Sequence, residues 1–247
     1  MPFKNHLNFQ SGLTFVGVGP GDPSLMTIAA VEAINNASLV AYPVTKIGEK
    51  SIAGEIASEL IKEKKCLPIV FPMVQEDELL QSAWEEASFK LAEEVRNGEQ
   101  VALLCQGDPS LYATSAYVLN LVKLKYPFCS VKVIPGVSSF NAAAAIAKVP
   151  LSLQKEQLLV CPAPDIVIDL EMLLDDVINS KKVLVLIKLG KRWLWVRKVL
   201  QEKGLLSNSV FAQRVGFSDQ VILNAQEISI EDANYFSLLI VRKGCAF

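Results

Sequence analysis

Short apolar runs alternate with stretches of helical periodicity along this chain, the pattern of an α/β architecture. LTFVGV (Leu13 to Val18) predicts a buried strand that runs into the Gly-rich turn GVGPGD. A helix is predicted next, with Asp22 placed to cap it, Pro23 suited to its first turn, and Leu25, Ile28, Ala29 and Val31 as its apolar face. SLVAYP (Ser38 to Pro43) predicts a second strand, and Ser51 to Lys64 a second helix whose lysine-rich end suits the helix dipole. CLPIVFP reads as a third strand, and Glu76 to Gly98 as a long amphipathic helix closed by glycine. Val101 to Cys105 repeats the theme of a buried strand, a tight turn and a helix. SVKVIPGVSSFNAAAAIAKVP then gives a short strand, a Pro-Gly turn and an alanine-rich helix suited to close packing.

The first half therefore predicts a parallel sheet whose strand ends carry Gly, Asp and Ser. In the second half LLVCPAP, VLVLIKLG, SVFAQRVG, QVILNA and FSLLIVRK read as strands, with a helix around RWLWVRKVLQEKG. Several of these strands follow one another without long helices between them, which predicts a mixed sheet. Trp193 and Trp195 cannot share one face at helical spacing, so one is assigned to the core and the other to a subunit interface. Pro135 and Gly136 form the best linker, dividing the chain into domains 11–134 and 135–247. No solenoid repeat or low-complexity tract is visible.

Composition narrows the class. With 51% hydrophobic and 20% charged residues in 247, the chain suits a globular protein of one large domain or two modest ones. The mean hydropathy of +0.32 is high. No apolar run is long enough to span a bilayer, so the excess is assigned to buried strands or a subunit interface. A net charge of −2 disfavours a nucleic-acid partner. The opening MPFKNHLNFQ lacks the apolar core of a secretory signal, so a cytoplasmic protein is expected. Cys66, Cys105, Cys129, Cys161 and Cys245 show no paired spacing and read as free thiols, and His6 is the sole histidine. A histidine-based metal site or catalytic triad is therefore nearly excluded.

Three constellations carry the candidate chemistry. In GVGPGDPSLMT, Gly17, Gly19 and Gly21 let the backbone turn sharply and approach a ligand. The third place of a dinucleotide fingerprint is taken by Asp22, which would repel a pyrophosphate, so nicotinamide binding through this loop is disfavoured. In CQGDPSLYATSAYV, Gly-Asp-Pro again follows a buried strand, where open α/β sheets bind ligands. Asp108 can accept hydrogen bonds there or simply cap the helix. In IPGVSSFNAAAAIA, Ser138 or Ser139 can cap the next helix and offer hydroxyls, but no base is available to activate a serine nucleophile. A structural turn explains each block taken alone; two Gly-Asp-Pro turns at two strand ends favour a shared crevice.

In this order and spacing the three blocks resemble the tetrapyrrole methylases, and the resemblance spans nearly the whole chain. Phe71 to Met73 and GDPSLYAT (Gly107 to Thr114), with VIPGVSSFNAAAA, resemble the branch that methylates C20 of precorrin-2 or cobalt-factor II. QRVGFSDQ is a loose version of the family's C-terminal pattern. The resemblance implies two α/β domains with the active-site cleft between them, a homodimer, and S-adenosyl-L-methionine as methyl donor in cobalamin biosynthesis. It implies cofactor contacts at Pro20, Gly107, Asp108, Leu111, Ser138 and Ser139, with Leu189, Phe211 and Ser237 as further positions.

The substrate implied is an electron-rich carbon nucleophile bearing many carboxylates, so alignment supplies much of the rate. Asp108 and Tyr112 are candidate acceptors of the departing proton. Gly19, Asp22, Lys46, Lys188 and Arg192 are candidates for the tetrapyrrole, with Lys191 and Arg214 as further cations, although most such side chains are simply solvated. No protein-bound metal is expected. Methylation at another carbon of a corrinoid precursor or of uroporphyrinogen, a non-catalytic tetrapyrrole or nucleotide binder, and a nicotinamide-dependent oxidoreductase are the competing readings.

Overall fold

A computed structural model of the chain describes residues 12–74, 76–229 and 233–244. His6 and Cys245 lie outside the described residues. Two compact units divide between Ser138 and Ser139, just past the Pro135–Gly136 turn.

The first unit is a five-stranded sheet made of β1 (Gly12–Gly17), β2 (Leu39–Val44), β3 (Lys65–Val70), β4 (Gln100–Cys105) and β5 (Ser130–Ile134). The order is β3-β2-β4-β1-β5, and every pairing is parallel. Parallel strands need a crossover between each pair, and here helices supply it: α1 (Ile28–Asn36), α2 (Ile52–Ile56), α3 (Ser58–Ile61), α4 (Asp77–Arg96) and α5 (Ser115–Lys125). Alternate residues Leu13, Phe15, Leu39, Ala41, Val101 and Leu103 pack with Leu91 and Val95 of α4 and Val118 and Val122 of α5. α1 packs against β1 and β4 through Ala30, Ala33 and Ile34, outside that cluster. With both faces covered the strands read as continuous apolar runs, which is why they stand out in the sequence. Proline is tolerated where a donor is not needed: Pro68 lies on the edge strand β3, and Pro43 lies past the last β2 residue paired with β4.

Two helix assignments in this unit change. Asp22 caps a separate 3-10 turn, Pro23–Leu25, by accepting from the Ser24 N–H at 2.8 Å. The helix itself starts at Ile28 and is capped by Thr27, whose hydroxyl accepts from the Ala30 N–H at 3.1 Å. That extra turn rotates the buried face to Ala30, Ala33 and Ile34 and leaves Ile28 79% exposed. The helix expected over 51–64 breaks at Ala57 into α2 and α3. Gly54 and the β-branched Ile52 and Ile56 give this segment low intrinsic helicity.

The second unit holds α6 (Ser139–Ile146), β6 (Gln157–Pro162), α7 (Val167–Asn179), β7 (Lys182–Ile187), α8 (Trp193–Glu202), β8 (Ser209–Gln213), β9 (Val221–Asn224) and β10 (Ser237–Val241). Its sheet order is β6-β7-β10-β8-β9, with β6 and β7 parallel and the remaining pairs antiparallel, so the sheet is mixed as expected. Its core gathers Leu170 and Leu174 of α7, Leu184 and Leu186 of β7, and Trp193 of α8 tilted 4.8 Å from Phe211. Trp195 is partly buried against the same core rather than standing clear of it. Arg242, mostly buried after β10, places Nη2 2.9 Å from both carboxylate oxygens of Glu156. Among the described residues no helix is long and apolar enough to cross a membrane.

Candidate active site

Because β4, β1 and β5 are neighbours in a parallel sheet, the turns that leave them emerge side by side at one edge. The chain leaves β1 towards β2 and leaves β4 towards β5, in opposite directions across the sheet. That is a topological switch point, where open α/β sheets form a crevice beyond their strand ends. The three turns touch through their backbones. The Val18 N–H donates to Cys105 O at 2.9 Å, and the Gly107 N–H donates to Gly19 O at 2.8 Å, closing a small antiparallel bridge between Gly19 and Gly107. A methyl group on Gly17 would lie 2.6 Å from the Gly136 nitrogen and 2.7 Å from Gly107 O, and one on Gly136 would meet Gly107 O closer still. Gly107 differs: its φ of +71° favours glycine, while nothing lies within 4 Å of where a methyl would stand. The backbone at Gly107 is bare and faces open space.

Asp108 ties this cluster together. One carboxylate oxygen accepts from the Gly136 N–H at 2.9 Å, and the other accepts from the Ser110 N–H at 2.8 Å and from the Ser110 hydroxyl. Partial burial pushes its pKa up, but the Ser110 hydroxyl and the N–H groups of Gly136 and Ser110 outweigh burial and hold the carboxyl below its ordinary range. Asp108 is therefore a fixed anion at neutral pH and a weak base. The Gln106 side-chain amide adds a second clamp, donating to Pro20 O at 3.1 Å. Cys105, buried just below, is pushed up to about 11 by its burial, which keeps it a neutral thiol.

The structure brings together Gly19, Pro20, Gly107, Asp108 and Leu111 at this edge, with Pro20 buried and Leu111 half-buried. Tyr112 stands 45% exposed beyond them with a left-handed backbone, φ 50°. Lys46, exposed after β2, belongs to the same carboxyl edge, and half-buried Ser138 follows the Gly136 turn. Asp22 is engaged with its own turn.

Further predicted positions lie in the second unit. The Leu189 N–H donates to Ser237 O at 3.0 Å, and the Gly190 N–H donates to the Ser237 hydroxyl at 3.1 Å. Leu189 and Phe211 are fully buried in the core of this unit, and Ser237 is nearly so. Ser139 opens α6. Lys188 and Arg192 lie together after β7, with Arg192 paired to Asp165 and its Nη1 3.4 Å from Lys188 O. Sequence reasoning did not assign the Gly17–Gly136 contact, Ser110 or the Gln106 clamp. Their signal is present only as glycines and polar residues inside motifs already noticed. No group of three His, Cys, Asp or Glu side chains arranged to hold a metal occurs among the described residues.

A parallel sheet with a bare glycine turn and a fixed carboxylate at its switch point has the form in which open α/β proteins bind ligands. The chain belongs to the tetrapyrrole (corrin/porphyrin) methylases, whose family model matches residues 12–229. The probable cobalt-precorrin-2 C(20)-methyltransferase of Methanocaldococcus jannaschii is 33% identical over 237 residues, covering 92% of this chain and 94% of that protein. The cobalt-precorrin-2 C(20)-methyltransferase of Salmonella typhimurium is 28% identical, with 92% and 94% covered. Among solved structures, the methyltransferase CobJ superposes with a TM-score of 0.67 at 17% identity, covering 95% of each chain, a likeness of fold.

Proposed function

We propose that this enzyme transfers a methyl group from S-adenosylmethionine to C20 of precorrin-2, or of its cobalt complex, in cobalamin biosynthesis. The observation that carries the reading is the 33% identity to a C(20)-methyltransferase over 92% of the chain. Relatives named for C(17) and C(11) methylation match only 56% of it.

The first-unit edge fits the cofactor. The bare Gly107 backbone leaves room for a ligand where any side chain would intrude, and the fixed negative charge of Asp108 favours a cation and disfavours a pyrophosphate. S-adenosylmethionine, when bound, supplies a methyl group already activated on a sulfonium. Pro20, Gly107, Asp108, Leu111 and Ser138 would hold it. Asp108 acts chiefly by fixing the turns around Gly107 and Gly136, and its lowered pKa disfavours it as the acceptor of the C20 proton. Tyr112, exposed beyond the turn, would contact the reacting tetrapyrrole. Positioning supplies the rate, because a well-oriented pair reacts with an effective molarity of about 10⁵ M or more.

The reading extends to a cytoplasmic homodimer. Exposed apolar side chains at Ile166, Val167, Ile168 and Met172 on and before α7 support a subunit interface. A monomer in sedimentation at micromolar concentration would contradict that part.

The test is anaerobic incubation with S-adenosylmethionine and either precorrin-2 or cobalt-factor II, read by product mass and NMR. One added methyl at C20 is expected, and the substrate that turns over names the metal state. Methylation at another carbon would favour the related activities; no cofactor binding would overturn the reading.

A further inference from the structure

Two basic residues of the second unit, Lys188 and Arg214, hold left-handed backbone conformations with φ of 55° and 48°. Left-handed geometry is unfavourable for any side chain beyond glycine and persists where the surroundings impose it. Each residue directly follows a strand, Lys188 after β7 and Arg214 after β8. Both strands flank β10 and run antiparallel to it, so their carboxyl ends lie at one edge of the sheet. They converge on a single dipeptide there. The Leu189 N–H donates to Ser237 O at 3.0 Å, and the Arg214 N–H donates to Phe236 O at 2.9 Å. The two strand ends are thus separated by β10 alone, about 10 Å apart from the spacing of adjacent strands.

Both conformations are over-determined. Arg192 reaches Lys188 O from one side, and the Phe217 N–H donates to Arg214 O at 3.1 Å. The Arg214 guanidinium lies 4.5 Å from the Phe217 ring centre, and its Nε donates to both oxygens of Asp219 at 2.8 and 2.7 Å. Asp219 thus engages Nε and leaves the terminal nitrogens of Arg214, the end that receives a carboxylate bidentately, without a partner among the described residues. The Arg192 guanidinium, by contrast, is committed to Asp165 and to the Lys188 carbonyl.

We infer that Lys188 and Arg214 form a paired carboxylate-binding edge on the second unit that reads two acid groups of the tetrapyrrole substrate. The inference rests on the tetrapyrrole reading above. Glycine would satisfy both backbones with less strain, so replacing either residue with glycine removes the side chain without straining its turn.

The test compares Lys188→Gly and Arg214→Gly with Lys148→Gly and Gln154→Gly, which relax left-handed residues elsewhere in the same unit. KM for the tetrapyrrole should rise roughly tenfold or more in each of the first pair, with kcat little changed. The thermal midpoint should stay within roughly 3 °C of the parent. Affinity for S-adenosylhomocysteine, measured by calorimetry, should be unchanged, and the control variants should keep the parent KM. Lys188→Asn and Arg214→Asn, which tolerate the same backbone, serve if glycine loosens either turn. Folded variants with an unchanged KM would overturn the inference. An equal loss of S-adenosylhomocysteine affinity would also overturn it, assigning the pair to the cofactor's carboxylate. If the wild-type chain transfers no methyl group, the C20 reading fails, and titration with uroporphyrin III, followed by fluorescence, tests the pair separately. Weaker binding by both variants then supports it, and equal binding overturns it.

Discussion

Gly17 and Gly107 stand in one turn cluster, yet they are glycines for different reasons, and substitution separates the two. A methyl group on Gly17 meets the Gly136 nitrogen at 2.6 Å, a collision with backbone that no rotamer relieves. Gly107 has open space but a φ of +71°, so its cost is conformational. We expect Gly17→Ala and Gly136→Ala to lose about 1–3 kcal/mol or more by overpacking. Gly107→Ala should lose about 1–2 kcal/mol, and Gly107→Asn should recover part of that, since asparagine tolerates the left-handed region. Urea unfolding of the four variants checks this; equal losses for Gly107→Ala and Gly107→Asn would show that contact, not conformation, governs the position. Asp108→Ala leaves the Gly136 N–H without its acceptor, at a cost of about 1–3 kcal/mol. It should also weaken S-adenosylhomocysteine binding by tenfold or more, and unchanged affinity would remove Asp108 from the cofactor site. The glycines and Asp108 were legible as a motif. Which neighbour forced each residue was not, because the contacts join turns more than a hundred residues apart along the chain, from Gly17 to Gly136.

Helix ends show the same division between what local pattern reveals and what packing decides. α6 ends in a Schellman motif: the Val149 N–H donates to Ala144 O at 2.9 Å and the Lys148 N–H donates to Ala145 O at 3.1 Å. The left-handed position that usually carries glycine is here Lys148, with φ 59°. Lys148→Gly should therefore stabilise the protein by about 0.5–1 kcal/mol, visible as a higher urea midpoint with methyl transfer unaltered. A lower midpoint would mean that the Lys148 side chain holds the helix end in some other way. Strands were the most legible elements, since double-sided burial writes an unbroken apolar run such as Val101 to Cys105. Helix phase was less so: the 3-10 turn after Asp22 rotated α1 by an amount that spacing alone does not encode. α7 was not assigned at all. Its β-branched opening at Ile166, Val167 and Ile168 is exposed and resembles a strand until Leu170 and Leu174 declare helical spacing.

Across the whole molecule, each unit carries its own core and its own carboxylate whose ionisation stabilises the fold. In the first unit Asp108 is held below its ordinary pKa, with backbone and hydroxyl donors outweighing its burial. In the second, Arg242 holds Glu156 low, with the Leu153 N–H adding to the effect against burial. A carboxyl whose folded pKa lies below its unfolded value adds stability above the unfolded pKa, near 4, and that stability is lost as pH falls through the folded pKa. The urea midpoint should therefore hold from pH 7 to about 5 and fall below about pH 4. The exposed pairs Lys125–Glu85 and Arg214–Asp219 contribute little to this, because solvent and salt screen them. Tryptophans allow the units to be followed separately, Trp84 in the first and Trp193 and Trp195 in the second. In a Trp84→Phe background, where emission reports the second unit, Glu156→Gln should lower the midpoint at pH 7 and flatten its fall between pH 5 and 3. An unflattened profile would mean that the acid sensitivity of that unit resides elsewhere than in the Glu156–Arg242 pair.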